Sequence, residues 1–499
     1  MLINKEILIM PVFLPIVAHA FGKRYDLPVP LWLFVVGGAA VVFASFLLVL
    51  PTAVRPATET GPSVSDHLSL HRIAPIRMVV AWLLFAALAV GGWIGSQAVA
   101  ENIVTTAFWL VVWIAVPISC GLIGDWTRPV NPFAAVARAF DRDRIRKLLL
   151  GSTRRAVWPE RLGHWPAAIL FFAVACGELV YNATATLPSV TATAIVVYMA
   201  VNAVMGMLVG SEAWIGRGEL FSVLWSTWGR LGWWRFGASG RRGFFGGLAA
   251  PFEATPSRIT FVLLLLVSVS FDGLLSTPAW KAFVVKLPDA LLPGTTLFLL
   301  FETLVFLILV ALAWLLFGGF AAAVRRAGRL QPSTMQVLAG LMRSLLPISF
   351  GYLVAHNADY LAINGQLLIP ILGNPFGMDG VHLLPAPFND SYEINPNILP
   401  SAVLWYGEVI LIIAVHIAAV VLAHQYLGRT ARAVRDARRA EWPWIVAMVG
   451  YTMTSLWLLA QPVVQEATSS ASAAASVTST PSAHLENTTV TEAHVNKRL

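Results

Sequence analysis

Charged residues are scarce in this chain. Asp, Glu, Lys and Arg make up 12% of the 499 residues, whereas hydrophobic residues make up 57%. A soluble domain typically carries about 25% charged residues, so this composition excludes an ordinary water-soluble fold. We therefore expect an all-α, polytopic transmembrane helical bundle, because helices satisfy their backbone hydrogen bonds inside a bilayer.

Cysteine and known catalytic motifs are also rare or missing. Only two cysteines occur, Cys120 and Cys176, and their predicted depths in the membrane are opposite, which argues against a disulfide or a shared metal. The sequence has no P-loop, CxxC, HExxH or GxSxG pattern. It therefore gives no motif for a nucleotide site, a thiol-ligated zinc site or a serine-hydrolase site.

Long apolar stretches dominate what is present. Each is long enough to span a bilayer, and they cover residues 31–50, 78–96, 103–123, 165–185, 190–210, 259–275, 295–317, 337–363, 401–427 and 443–461. Residues 1–20 are signal-like, with cleavage expected after Ala18 or Ala20. We expect a transmembrane domain over 21–461. The segment 462–499 is rich in Ser, Thr and Ala, and we expect it to be a disordered extracytoplasmic tail.

Basic residues indicate the orientation. The segments 51–77, 124–164, 211–258, 318–334 and 428–442 hold 26 of the 34 Lys and Arg residues, and the loop 364–400 holds none. Because positive loops stay in the cytoplasm, the five segments are predicted inside, and the 364–400 loop faces outward. The net charge of +8 thus reflects topology, and we expect no nucleic-acid partner.

Tryptophans alternating with arginines over 214–235 are typical of an interfacial anchor.

Ionisable residues inside the apolar segments give the best indication of function, since burying a charge in a membrane costs several kcal/mol. Six of them fall in the predicted outer half of the bilayer, and His416 lies nearer the midplane. The six are Glu178, Asp272, Glu302, His356, Asp359 and Glu408.

The segment from Tyr352 to Tyr360 carries the densest polar group. Helical spacing places Tyr352, His356 and Asp359 on one face. Imidazole with carboxylate is a common divalent-metal pair, although a hydrogen-bonded structural pair between helices has the same pattern. We predict a divalent metal ion on His356, Asp359, Glu408 and His416. Glu178 and Asp272 are predicted as catalytic residues.

Several stretches together resemble bacterial fenitrothion hydrolase-like integral membrane proteins. They are His19–Trp32, Ser270–Gly273, Gly351–His356 with Gly365–Gln366, and Leu404–Glu408 with His416 and His424. The resemblance covers about residues 19–461 and implies hydrolysis of the P–O aryl bond of organophosphorus triesters. It brings no residue roles with it, so the site assignments rest on depth.

Three functions stay open at this point. A metal-assisted hydrolase would act on an apolar small molecule that reaches it through the lipid bilayer. It would lie in a bacterial inner membrane with its site facing the exterior, and a second membrane subunit is a possible partner. A transporter or channel would spread ionisable residues through both halves of the membrane, whereas here the inner half holds only His424 and Arg343. A copper-handling or oxidase-assembly protein would favour Met or Cys clusters.

Overall fold

The computed structural model describes residues 31–49, 75–236, 242–389 and 391–478. Within these ranges the chain is helical and has no β-strand. Ten helices overlap the ten apolar stretches. They are α1 Leu31–Val49, α2 Pro75–Ile94, α3 Ile103–Ile123, α4 Trp165–Leu179, α5 Pro188–Val209, α6 Pro256–Ser276, α7 Thr296–Ala327, α8 Thr334–Asn364, α9 Ser401–Thr430 and α10 Val434–Thr478.

Seven of these helices, α3 to α9, are long and apolar enough to cross a membrane. For α4 this length includes the preceding turn, Glu160–Leu162. The apolar cores of α1 and α2 are shorter, Val35–Phe46 and Trp82–Ile94, so the ten-span topology stays a prediction. The structure therefore supports an all-helical membrane protein with seven candidate spans.

The two predicted terminal segments lie largely outside the described residues. The signal-like segment 1–20 falls entirely outside them. At the other end, α10 continues to Thr478, into the segment for which we expected a disordered tail. The residues beyond Thr478 are not described, so the tail and the signal segment both stay predictions.

Short helices connect the long ones and form part of the interior. The α-helical pieces are Pro132–Phe140, Asp143–Leu150, Asn182–Ala185, Ser211–Arg217, Leu220–Trp228, Pro278–Val284 and Leu368–Gly373. Turns of 3-10 helix occur at Glu160–Leu162, Gly246–Ala249, Asp289–Leu291 and Gly365–Leu367. The middle of α3, Thr106–Ala115, is π-helical.

Helix α8 lies at the centre of the bundle. It packs against α3, α6, α7 and α9, and its membrane-length segment is 83% buried. Glycines allow its close approach to α9, because a Cβ on Gly351 would meet Val415 and one on Gly340 would overlap Tyr426. These two contacts fix α8 and α9 as antiparallel neighbours. Polar residues on α8 therefore face protein on most sides.

The helix Leu220–Trp228 is buried, which differs from the interfacial anchor that we expected here. Its cap, Glu219, is fully buried and accepts hydrogen bonds from the amides of Phe221 and Ser222, from Asn131 and from Tyr198. Satisfying the carboxylate in this way allows the helix to pack inside the protein. Three tryptophans of the segment are consequently in the core, Trp214, Trp225 and Trp228, whereas Trp233 and Trp234 are exposed.

The connecting loops gather into two groups. The loop after α2 bonds to the 364–400 loop, through Ser96 to Phe376 and Ile103 to Pro375, and Gln97 accepts from the amide of Ser189 at the start of α5. The Arg-rich segments after α3 and α5 pack together instead, through contacts such as Asn131 with Glu219. The loops poor in basic residues therefore meet one another at one end of α3, α5 and α8.

Candidate functional site

A cavity of about 710 Å³ lies between α3, α4, α6 and α8. Its upper rim is formed by the loops just described, including Gln97–Ala100 and Ile394, and its deep end by the helix Leu220–Trp228. This volume falls within the range of small-molecule binding sites, which is about 300–1,000 Å³. Most of its lining is apolar, but three of the ionisable residues singled out by depth, Glu178, Asp272 and His356, line it together.

Glu178 is held in place by a tryptophan from the facing helix. The indole Nε1 of Trp113 on α3 donates a hydrogen bond of 2.7 Å to Oε2 of Glu178 on α4. One turn later, the side chain of Asn182 donates to the main-chain oxygen of Glu178. Since Trp113 engages one carboxylate oxygen and the residue lines the cavity, Glu178 is positioned to act on a bound molecule.

Asp272 and His356 form a direct pair across the interface of α6 and α8. His356 Nε2 contacts Asp272 Oδ2. Asp272 is buried and His356 is half-buried, with side-chain exposures of 5% and 13%. Glu178 lies close enough to interact electrostatically with both. An imidazole oriented by a carboxylate, next to a second carboxylate, is an arrangement used for proton transfer and charge stabilisation.

Asp359 and Glu408 lie behind this pair and do not line the cavity. Asp359 follows His356 by three residues on α8 and is buried. Glu408, on α9, is also buried and interacts electrostatically with His356 and Asp359. His356 is therefore surrounded by carboxylates from three other helices, α4, α6 and α9.

The remaining predicted residues lie apart from this group. His416 is buried two turns further along α9, about 12 Å from Glu408 in helical rise, and its Nδ1 is hydrogen-bonded to the main-chain oxygen of Ile412. Glu302, on α7, is buried but is not among the cavity residues. Depth alone placed both with the others, because hydropathy does not encode the direction in which a helix faces.

The arrangement does not fit the predicted metal centre. Among the described residues, no group of three or more His, Cys, Asp or Glu side chains is placed to hold a metal ion. Moreover, the ring nitrogen Nε2 of His356 is engaged by Asp272. Metal binding by His356, Asp359, Glu408 and His416 thus stays a prediction that the geometry does not support.

Ionisable residues of the 364–400 loop are likewise separate from the site. In the 364–400 loop, Asp379, His382 and Glu393 do not line the cavity, although the neighbouring Ile394 does. Asp390 and the segment around His19 lie outside the described residues. Beyond the end of α8, this region therefore contributes the apolar residues Leu367 and Ile394 to the cavity lining.

A second buried histidine–carboxylate pair occurs far from the cavity. His424 Nδ1 lies 2.7 Å from Oε1 of Glu441, joining α9 to α10, and both side chains are buried. Arg343 is buried nearby on α8, over the ring of Tyr426. The sequence places His424 in the predicted inner half of the membrane, outside the predicted outer site. Its partner was not predicted, because Glu441 falls in a basic connecting segment of the sequence.

Comparison of the chain with protein-family models, with curated proteins and with solved structures finds no match. The function must therefore be argued from the cavity and its residues.

Proposed function

We propose that this protein is a membrane-embedded hydrolase that cleaves the P–O aryl bond of neutral organophosphorus triesters in the cavity lined by Glu178, Asp272 and His356. The observation that carries the proposal is the convergence of these three ionisable side chains, from three different helices, on one mainly apolar cavity. An apolar cavity favours a neutral, lipophilic substrate, and buried ionisable groups in membrane helices usually serve a function.

The proposed reaction uses the residues in two roles. Glu178 acts as general base and takes a proton from a water molecule, whose oxygen attacks phosphorus. The aryl oxide leaves with the electron pair of the broken P–O bond, and a dialkyl phosphate remains. The His356–Asp272 pair stabilises the negative charge that develops on the phosphoryl oxygen. A nitrophenolate leaves readily, so the step needs no general acid.

We place the cavity end of the bundle on the extracytoplasmic side of a bacterial inner membrane. The loops that meet at this end carry few basic residues, and the 364–400 loop has none. The Arg-rich segments 124–164 and 211–258 bond to each other elsewhere, as expected for cytoplasmic loops. A substrate dissolved in the lipid would then reach the site from the outer half of the membrane.

The proposal is tested by nitrophenolate release from diethyl 4-nitrophenyl phosphate. The purified protein is reconstituted into lipid nanodiscs and assayed as wild type, Glu178→Gln and Glu302→Gln. A general base typically contributes about 10²–10⁴-fold, so we expect Glu178→Gln to lose at least about 100-fold in rate. Glu302→Gln is the matched control, since it removes a carboxylate of another membrane helix that is buried outside the cavity.

Two results would contradict the hydrolase. One is a wild-type protein, correctly inserted and loaded with each common divalent metal, that releases no nitrophenolate. The other is a Glu178→Gln variant that keeps the wild-type rate. Equal losses in Glu178→Gln and Glu302→Gln would assign the effect to burial of carboxylates in general and would remove the catalytic role.

A proton-coupled transporter is the second candidate, and one observation favours it. Ionisable side chains are buried at eight-residue intervals along α9, at Glu408, His416 and His424. Each interval corresponds to about 12 Å of rise, and the last residue pairs with Glu441. Chains of buried His and carboxylate groups are a known form of proton relay. This series extends into the predicted inner half of the membrane, whereas most of the ionisable residues fall in the predicted outer half.

The transporter predicts acidification-driven uptake of an apolar ligand into proteoliposomes. His416→Gln and His424→Gln would each abolish the coupled uptake, because both interrupt the series, and nitrophenolate release would be absent. Hydrolysis that is unaffected by His416→Gln, with no proton movement across the vesicle membrane, would refute this candidate.

A further inference from the structure

Four aromatic residues line the cavity beside Glu178 and from there toward its deep end, and we define Trp109, Trp113, Phe171 and Trp228 as the aromatic floor. All four line the cavity. They come from α3, α4 and the buried helix Leu220–Trp228. Leu224 and Leu265 also line the cavity, and neither they nor the four aromatic residues carry a charge.

The π-helical turn of α3 explains how one helix supplies so much of this wall. Thr105, Trp109, Trp113 and Pro117 line the cavity at four-residue intervals. In an α-helix each such interval rotates by about 40°, so the first and last of them would diverge by about 120°. The wider turn over Thr106–Ala115 rotates by less per residue and so offsets this drift along the helix. Two indoles, those of Trp109 and Trp113, therefore line the same wall.

Hydrogen bonds fix these indoles. Trp109 Nε1 donates to Thr191 Oγ1 at 3.2 Å, and Trp113 Nε1 donates to Glu178 at 2.7 Å. The ring centroids of Trp113 and Phe171 are 5.3 Å apart, and those of Trp228 and Phe350 are 5.6 Å apart. With their N–H groups engaged by protein, Trp109 and Trp113 offer the cavity ring surface and no free donor.

We propose that the aromatic floor binds an aryl group of the substrate and so selects aryl triesters over alkyl triesters. This inference rests on the proposed function, since it assigns an aryl group of that substrate to a subsite in the same cavity as Glu178. We expect an aromatic group here because an aromatic ring packs favourably against the rings of Trp and Phe at centroid separations of 4.5–7 Å. Each such pair adds about 0.5–1.5 kcal/mol of binding free energy to that of the buried apolar area. An alkyl chain gains only the burial.

The test is equilibrium binding of two radiolabelled probes, triphenyl phosphate and tributyl phosphate, to nanodisc-embedded protein. All variants are made in a Glu178→Gln background, so that turnover does not interfere. We expect Trp228→Leu to weaken triphenyl phosphate binding by about 2- to 12-fold, the range that corresponds to 0.5–1.5 kcal/mol. Tributyl phosphate binding should change less than twofold, and Trp228→Phe should keep most of the aryl preference.

Trp225→Leu is the matched control, because Trp225 is buried on the same helix but does not line the cavity. It should leave both affinities unchanged. If Trp228→Leu does not fold, Trp109→Leu tests the same wall. Equal weakening of both probes, or no weakening in either floor variant, would overturn the subsite.

The outcome separates this inference from the proposed function. Selective aryl binding without any hydrolysis by the wild type would refute the hydrolase and leave the subsite in place as an aromatic-ligand site. Glu178-dependent hydrolysis with no aryl selectivity at Trp228 or Trp109 would support the reaction and refute the subsite.

Discussion

The pairing of Asp272 with His356 gives the sharpest energetic prediction. Asp272→Asn keeps the shape of the side chain but removes its charge, leaving His356 beside an amide in a buried place. Removing one partner of a buried ion pair costs about 3–5 kcal/mol. Because His356 can lose its proton and become neutral, we expect the lower end, about 3 kcal/mol, for Asp272→Asn and a similar cost for His356→Gln.

The double variant distinguishes a specific pair from two independent buried groups. If the two residues interact, the double variant should cost about 3–4 kcal/mol instead of the sum of about 6, a coupling of about 2–3 kcal/mol. Unfolding is followed in detergent–SDS titrations with a thiol-reactive fluorogenic dye. The dye reports unfolding because the only two cysteines, Cys120 and Cys176, are both buried and free.

A matched cycle with Glu302→Gln and His356→Gln supplies the control. Glu302 is a buried acid on α7 outside the cavity, so its cost should add to that of His356→Gln within about 0.5 kcal/mol. Additivity in the Asp272–His356 cycle would refute the pairing on which the proposed charge stabilisation depends.

Three further predictions concern topology, metal and pH. In single-cysteine variants, a membrane-impermeant reagent should label Ser391→Cys from outside and Arg435→Cys only after permeabilisation; the reverse pattern would overturn the orientation. Hydrolysis should survive exhaustive chelation, whereas a loss restored by a divalent metal would favour the metal site predicted from sequence. Burial alone would raise the pKa of the Asp141 carboxyl group. Hydrogen bonds from Ser211 and Arg146 and the positive charge of Arg155 outweigh burial, so the pKa of Asp141 lies below its ordinary value of 3.8. The stability from this lowered pKa is present above pH 3.8 and lost below it, so the melting-temperature deficit of Asp141→Asn should be full at pH 7 and shrink as the pH falls below 3.8.

The positions of the helices could be predicted from the sequence because a run of about 20 apolar residues by itself indicates a membrane helix. Seven of the ten stretches coincide with helices that are long and apolar enough to span a membrane, and the other three overlap helices α1, α2 and α10. The depth of a residue in the membrane can be predicted in the same way, since it depends only on the distance of that residue from the end of its own helix. It grouped Glu178, Asp272 and His356, which the structure brings to one cavity.

What the sequence could not provide is the direction in which each helix faces and which helices are neighbours. Glu408 packs behind His356 instead of facing the cavity, and His416 is a further two turns away along α9. Trp113, which orients Glu178, comes from a segment with no polar pattern. Trp228 looked like an interfacial residue and is buried at the deep end of the cavity, because Glu219 caps its helix inside the protein.

The central claim, that triesters are bound and cleaved in the cavity beside Glu178, is tested most directly by substrate protection of a cysteine placed there. Asn357 lines the cavity and is half-buried, and the native cysteines are buried. In Asn357→Cys, diethyl 4-nitrophenyl phosphate should slow thiol modification with the same half-saturating concentration as in hydrolysis. Modification should in turn abolish nitrophenolate release. Unaltered modification at substrate concentrations that saturate hydrolysis would contradict the claim and place the reaction elsewhere in the molecule.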